Sequence, residues 1–328
     1  MNKRALRADV LLLLTALLWG FGFVAQSSGM DYVGPFTYNG IRFLLGSLSL
    51  LPLMAFQRAR GRVRESQGGR GGTIRATFVA GTVLFVAVAF QQIGIMFTTV
   101  GNAGFITGFY VVLTPVFGMF LGKKTGLPTW LGMVFALAGL YFIFMAGSFT
   151  SINPGDVITV ISAVFWACHI LVIDRLVQKV DPLALSSGQF AWCGLYALAA
   201  AFTLEPLVGA FAARIAPGAV LQSWMTIGQL AGAVARGGAF SGGTVLAAAI
   251  PILYGGLVSV GIAYTLQVVA QKDAPPAHAT IILSLEGSFA AVGGVLLRGE
   301  QPGPYTLLGF GFMLAGMLIT QWDVIRSR

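Results

Sequence analysis

Two ionisable residues, Arg42 and Glu286, lie inside long apolar stretches of the sequence. A charge near the bilayer centre costs about 2.5–3.5 kcal/mol on insertion scales, so such groups usually face a cavity or a partner. Glu286 could carry a coupling proton, or it could be a structural residue bonded to Ser284 or Ser288. Arg42 could bind a carboxylate or a phosphate, pair with Glu286, or extend to the headgroups.

Aromatic and amide side chains accompany these two charges. Trp19 and Trp166 lie in similar contexts 147 residues apart, and His169 follows Trp166 by about one helical turn. Aromatic rings can stack on a substrate, whereas the alternative for each ring is core packing. The candidate cavity residues are Trp19, Phe23, Arg42, Gln91, Asn102, Tyr110, Trp166, His169, Gln189 and Tyr264, with Glu286 as the candidate for coupling.

Other chemistries find little support in the sequence. No His, Cys and carboxylate cluster predicts a metal site, and we expect no cofactor. Cys168 and Cys193 both lie in apolar stretches, which argues against a disulfide framework. The segment Gly122-Lys123-Lys124-Thr125 lacks the first glycine of a phosphate-binding loop. We therefore expect neither an enzyme nor a nucleic-acid-binding protein.

The composition indicates how these residues are positioned. Of 328 residues, 56% are hydrophobic and 9% are charged, far fewer than the roughly one quarter typical of soluble domains. A helix needs about 20 apolar residues to cross the bilayer. The sequence predicts an all-α polytopic membrane protein with ten spans, at 8–26, 36–56, 76–96, 102–122, 128–147, 156–174, 184–204, 246–270, 277–297 and 303–322.

The basic residues predict an orientation. With both termini in the cytoplasm, 16 of the 20 Lys and Arg residues fall on the inner side, as the positive-inside rule requires. The predicted location is the inner (plasma) membrane. A weakly apolar stretch at 219–234 within the loop 205–245 could be an interfacial amphipathic helix or an eleventh span; we favour ten spans.

An internal repeat divides the chain. Pro35 matches Pro182 and Arg42 matches Gln189 at the same offset of 147 that relates the two tryptophans. This predicts two five-helix repeats, 1–147 and 148–328. Because five is odd, the second copy is inverted, an arrangement typical of secondary transporters with a site between the halves.

The chain resembles the EamA-type permeases of the drug/metabolite transporter superfamily. The residues that carry the resemblance are Leu17-Leu18-Trp19-Gly20, Arg42-Phe43, Leu113-Thr114-Pro115-Val116, Leu137-Ala138-Gly139, Trp166, Leu285-Glu286 and Arg298-Gly299-Glu300. Departures are Gly287-Ser288 and Lys123-Lys124, where the family usually has Pro-Val and Gly-Glu. The resemblance implies helices around a central cavity, with spans 5 and 10 at the periphery.

The expected function is efflux or exchange of small organic metabolites, amino acids or drug-like compounds by alternating access, with proton coupling as an option. The expected partners are the substrate and the lipid bilayer, in a monomer or a homodimer. Two alternatives remain open. They are an exchanger of nucleotide sugars or sugar phosphates, which would need more basic side chains than Arg42, and a lipid-modifying membrane enzyme.

Overall fold

The computed structural model describes residues 3–61, 66–120, 122, 126–145, 153–205, 207, 242–274 and 276–320. Within these ranges the chain is helical and contains no strand. The segment 219–234, predicted to be an interfacial helix, lies outside the described residues.

The described ranges contain fourteen α-helices, which are numbered here in chain order. They are α1 (Lys3–Met30), α2 (Pro35–Ser49), α3 (Leu51–Ala59), α4 (Gly69–Ile95), α5 (Val100–Thr107), α6 (Tyr110–Met119), α7 (Leu127–Met145), α8 (Pro154–Leu176), α9 (Pro182–Thr203), α10 (Gly242–Leu253), α11 (Thr265–Gln271), α12 (Pro276–Leu283), α13 (Leu285–Arg298) and α14 (Pro304–Thr320). A π-helical segment, Tyr254–Tyr264, joins α10 to α11.

Eight helical stretches in the described ranges are long and apolar enough to cross a membrane. Several of them combine consecutive helices, as α2 and α3 do in Pro35–Ala59. A ninth apolar stretch, Pro304–Ile319, is shorter. Helix α9 is not among these nine stretches. It carries the polar residues Ser186, Ser187 and Gln189 in its first half. The multi-pass architecture is therefore clear, while ten passes and an inverted repeat stay predictions.

Glycines allow close packing between neighbouring helices. Helices α7 and α14 pack chiefly on each other, and a Cβ on Gly139 would lie 2.7 Å from the backbone oxygen of Gly309. Small residues at such contacts let two backbones approach within van der Waals distance. Helix α4 packs on α8 and α9, α2 packs on α9, and α1 packs on α13.

Four predicted spans are interrupted and are not single regular α-helices. Span 36–56 breaks at Leu50, between α2 and α3, span 102–122 breaks between α5 and α6, and span 277–297 breaks at Ser284, between α12 and α13. In span 246–270, Pro251 precedes the π-helical segment. Because proline lacks an N–H and clashes with the preceding turn, it disturbs the regular hydrogen-bond ladder there.

Candidate functional site

Residues of α5, α6, the π-helical segment, α11 and α13 meet residues of α1, α2, α4 and α8 around one central cavity. Its side chains leave about 20 Å³ between them, which is room for about one water molecule. The lining residues are Trp19, Phe23, Gln26, Arg42, Gln91, Thr107, Tyr110, Trp166, Ile170, Ser259, Tyr264, Gln267 and Glu286. Any larger substrate therefore requires these side chains to move apart.

Three aromatic rings form one wall of the cavity and are called the aromatic triad: Trp19, Trp166 and Tyr264. The ring centroids of Trp19 and Tyr264 lie 4.4 Å apart in an edge contact, and those of Trp166 and Tyr264 lie 5.9 Å apart and stacked. Trp19 and Trp166 are 6.3 Å apart. These distances suit favourable aromatic pairs, and the triad offers an apolar surface to a substrate.

Arg42 is fully buried, with 1% of its surface exposed, so it does not extend to the headgroups. Its Nε donates to Asn39 Oδ1 at 2.9 Å and its Nη2 donates to Gln26 Oε1 at 3.1 Å. The guanidinium carbon lies 4.8 Å from the centroid of Phe43, a cation–π distance. Both of these hydrogen-bond partners are neutral amides. The guanidinium is therefore hydrogen-bonded, but no carboxylate among the described partners balances its positive charge.

Glu286 lies in the first turn of α13, directly after the break at Ser284, and 3% of it is exposed. A helix N-terminus favours a negative charge. The option that Glu286 pairs with Arg42 is wrong for this structure, since the hydrogen bonds of Arg42 go to Asn39 and Gln26. The cavity thus contains one buried cation and one buried acid that are not bonded to each other.

Other cavity residues carry buried polar atoms without a hydrogen-bond partner among the described residues. These atoms are Trp166 Nε1 and Gln267 Oε1. Leaving a buried donor or acceptor unbonded costs about 1–3 kcal/mol, so such atoms are uncommon in a core. The cavity therefore offers a donor and an acceptor to a polar ligand.

Three candidate residues lie away from the cavity. His169 and Gln189 are fully buried, and His169 Nε2 lies 2.9 Å from Gln189 Oε1. The His169 ring meets Trp166 edge-on, with 5.7 Å between centroids, so this pair stands beside the triad. Asn102 lines a different pocket of about 310 Å³ that also contains Glu300 and Thr306.

Five lining residues were not among the candidates: Gln26, Thr107, Ile170, Ser259 and Gln267. Gln26 follows Trp19 by two helical turns and Ile170 follows Trp166 by one, so the helical period could have found both. Ser259 lies in the π-helical segment, where that period does not hold. Trp19 Nε1 donates to the Ser259 carbonyl oxygen at 3.2 Å.

At one end of the bundle, the end that carries Arg298, four side-chain contacts join residues before 146 to residues after 152. Arg298 and Asp31 form an ion pair with oxygen–nitrogen distances of 2.6 and 3.3 Å. The other three contacts use carboxylates. They are Thr37 Oγ1 to Glu205 at 2.7 Å, Thr98 to Asp156, and the Val100 and Gly101 amides to Glu300 at 2.5 and 3.1 Å.

Glu205 lies beyond the end of α9 and has 1% of its surface exposed. Burial raises the pKa of this carboxyl to about 7, against the smaller opposing effect of hydrogen bonds from Thr37. No partner for Glu205 Oε1 is found among the described residues. This contact therefore titrates near neutral pH.

The sequence profile of the EamA-like transporter family matches residues 6–145 and 153–322. The chain belongs to this family. All four contacts at the Arg298 end join the first matched segment to the second. Membership of the drug/metabolite transporter superfamily, which the motifs indicated, is confirmed.

Two relatives with similar sequences are named uncharacterized transporters. This EamA-like chain is 31% identical over 205 residues to an uncharacterized transporter of Archaeoglobus fulgidus, covering 61% of this chain and 60% of that one. A second uncharacterized transporter of that organism is 23% identical over 319 residues, covering 96% and 97%. The chain thus spans 60% of the first relative's length and nearly all of the second's.

A solved crystal structure shares the fold. It is 18% identical in sequence, covers 98% of both chains and superposes with a TM-score of 0.62. At that identity the likeness concerns the fold alone. The family match and the apolar helices show a multi-pass membrane protein of the EamA-like transporter family.

The described residues contain no group of three His, Cys, Asp or Glu side chains that could hold a metal ion. In the same ranges Cys168 and Cys193 are free thiols. Polar groups line the central cavity, the pocket beside Glu300 and a third pocket of about 220 Å³ that contains Arg58 and Asp181.

Proposed function

We propose that this EamA-like protein is a secondary transporter that moves small organic metabolites across the cytoplasmic membrane by alternating access. The observation that carries the proposal is the pair Arg42 and Glu286, which line one cavity without bonding to each other. A guanidinium and a carboxyl group kept apart inside a bilayer are costly unless something binds between them.

The cavity favours a zwitterionic substrate of the amino-acid type. The Arg42 guanidinium offers its N–H groups to a carboxylate, and the Glu286 carboxylate offers its oxygens to an ammonium group. The aromatic triad would cover an apolar side chain. A nucleotide sugar or sugar phosphate would need further basic side chains, and Arg42 is the one basic residue of this lining.

Alternating access accounts for the closed cavity. A space of about 20 Å³ admits no metabolite, so transport requires a state in which the helices separate. The broken helices α5–α6 and α12–α13 can move about the breaks beside the cavity, as discontinuous helices do in transporters with inverted repeats. In this proposal residues 1–147 and 148–328 are those repeats.

The proposed orientation follows the charges. The described basic residues at the end opposite Arg298 include Arg58, Arg70, Arg75 and Lys272, whereas the Arg298 end carries the four carboxylate contacts. The positive-inside rule then places the Lys272 end in the cytoplasm and the Arg298 end outside. Both termini would lie in the cytoplasm.

Proton coupling through Glu286 is the part of the proposal that a single substitution tests. The protein is reconstituted in liposomes that contain a pH-sensitive dye, a proton gradient is imposed, and a panel of zwitterionic, anionic and cationic metabolites is added. We expect flux with zwitterions, accompanied by proton movement, and loss of the proton movement in Glu286→Gln.

A matched control is Glu205→Gln, because Glu205 is equally buried but lies outside the cavity. It should keep substrate-dependent proton flux. Flux of a metabolite that is unchanged in Glu286→Gln and in Arg42→Gln would contradict the assignment of these residues. Flux confined to phosphorylated sugars would favour the exchanger alternative instead.

A further inference from the structure

Below the aromatic triad, α9 and α11 face each other on the way to the Lys272 end. The rings of Phe190 on α9 and Tyr264, directly before α11, have centroids 5.7 Å apart. Ser186 precedes Phe190 by four residues, which places it on the same face, one turn nearer the Lys272 end. Gln267 and Gln271 follow Tyr264 by three and seven residues and continue its face in the same direction.

These three side chains are buried, and their polar atoms lack partners among the described residues. Gln267 and Gln271 are each 1% exposed, and Ser186 is 0% exposed. The unbonded atoms are Gln267 Oε1, Ser186 Oγ and both amide atoms of Gln271. Gln267 also lines the cavity, so the unbonded groups form a series that begins there.

An apolar cluster packs beside this face. Val268 and Leu185, each next in sequence to one of the polar residues, are fully buried in that cluster with Ile173 and Val177. Unbonded buried groups are rare in native cores, so a row of them beside a well-packed apolar face indicates a surface that becomes wet in another state.

We propose that the face formed by Ser186, Gln267 and Gln271 is the path along which substrate passes between the cavity and the Lys272 end. In the closed state the polar atoms of this face are not in contact with water. When the Lys272 end opens, water and the polar groups of the substrate bond to them, and Gln271 is the last group of the series. This inference rests on the proposed transport function.

Cysteine accessibility tests the path without requiring any transport. In a background with Cys168 and Cys193 replaced by alanine, Gln271→Cys and the matched control Val268→Cys are treated with a membrane-impermeant maleimide from each side. We expect Gln271→Cys to react about tenfold faster than Val268→Cys from the Lys272 side, as an occasionally opened site does. Equal slow reaction of both cysteines from both sides would overturn the proposal.

Transport supplies the second readout. Gln271→Leu should slow zwitterion flux by about tenfold, the effect of one lost hydrogen bond to a neutral group, while Gln271→Asn should restore most of it. Substrate should also change the reaction rate of Gln271→Cys. Normal flux in Gln271→Leu would count against the path.

The two proposals fail in distinguishable ways. Suppose that wild-type protein moves none of the metabolites but Gln271→Cys reacts selectively from the Lys272 side. The water-accessible path is then supported, and the proposed substrate class is wrong. If wild-type protein transports zwitterions but Gln271→Cys stays as inert as Val268→Cys, the transporter stands and the path lies elsewhere.

Discussion

At the scale of single residues, the two cavity tryptophans differ in their hydrogen bonding. Both are buried and both touch Tyr264, but Trp19 Nε1 donates to the Ser259 carbonyl oxygen, whereas Trp166 Nε1 has no partner among the described residues. The Trp19 bond joins α1 to the π-helical segment. Trp166 therefore has a free donor for substrate, and Trp19 has a structural bond.

This difference gives a paired prediction. Trp19→Phe removes the bond to Ser259 and should lower the free energy of unfolding by about 1 kcal/mol. Trp166→Phe keeps the fold and should instead weaken substrate binding. Thermal denaturation in detergent and substrate KM in liposomes separate the two effects. A larger loss of stability in Trp166→Phe than in Trp19→Phe would contradict the assignment.

Glu205 gives a prediction about pH. Its pKa in the folded protein, about 7, is raised above the ordinary 4.5, so the folded state binds a proton more tightly than the unfolded state. The stabilisation by this group is fully present below pH 4.5 and is lost as pH rises through about 7. Glu205→Gln should flatten that part of the profile of melting temperature against pH.

The comparison with Thr37→Val sharpens the test. This variant removes the hydroxyl bond that favours the charged form of Glu205 and leaves the carboxyl in place. It should keep the fall in stability with pH, or steepen it, because the folded-state pKa of Glu205 rises further. A profile of Glu205→Gln that stays parallel to the wild-type profile would show that another group titrates.

At the scale of elements, the pairing of α7 with α14 depends on backbone contact. A Cβ on Gly139 would meet Met313 Cγ at 2.4 Å and the Gly309 oxygen at 2.7 Å, whereas one on Gly311 meets nothing within 4 Å. Because a backbone atom cannot rotate away, the helices themselves would have to separate. Close contact of this kind replaces the hydrophobic effect, which does not act between helices in lipid.

We therefore expect Gly139→Ala to destabilise the protein by about 1–3 kcal/mol, the usual cost of overpacking. Gly311→Ala should leave stability unchanged or raise it slightly, since alanine favours a helix by up to about 1 kcal/mol. Melting temperatures of the two variants, prepared in parallel, measure the difference. Equal melting temperatures would mean that α7 and α14 are not packed as closely as the structure shows.

At the scale of the whole molecule, the four contacts at the Arg298 end connect the two family segments. Each contact joins the end of one helix to the start of another or to an adjoining loop. They lie at that end of the bundle, and in the proposed transport cycle each must break if that end opens.

The Asp31–Arg298 pair provides the test. Both side chains are about one third exposed, and such pairs contribute about 1 kcal/mol at most. Asp31→Asn should therefore speed amide exchange at 31–34 and 98–101 by up to about fivefold, measured by hydrogen-exchange mass spectrometry. The charge swap Asp31→Arg with Arg298→Asp should restore wild-type exchange. Unaltered exchange in Asp31→Asn would mean that the pair does not hold this end.

The sequence by itself determined that the chain crosses a membrane several times and which family it belongs to. A span is set by a run of about 20 apolar residues, and the family motifs are local, so both can be read without knowing any distant contact. The sequence also placed Trp19, Arg42, Trp166, Tyr264 and Glu286 in apolar stretches, and the structure brings them to one cavity.

Only the tertiary structure decided how those residues are used. That Arg42 bonds to Gln26 and Asn39 rather than to Glu286, that His169 and Gln189 pair outside the cavity, and that Gln271 stays unbonded depend on which helix faces which. An apolar sequence specifies that a helix is buried but not its neighbours, because hydrophobicity has no direction, whereas hydrogen bonds require exact partners.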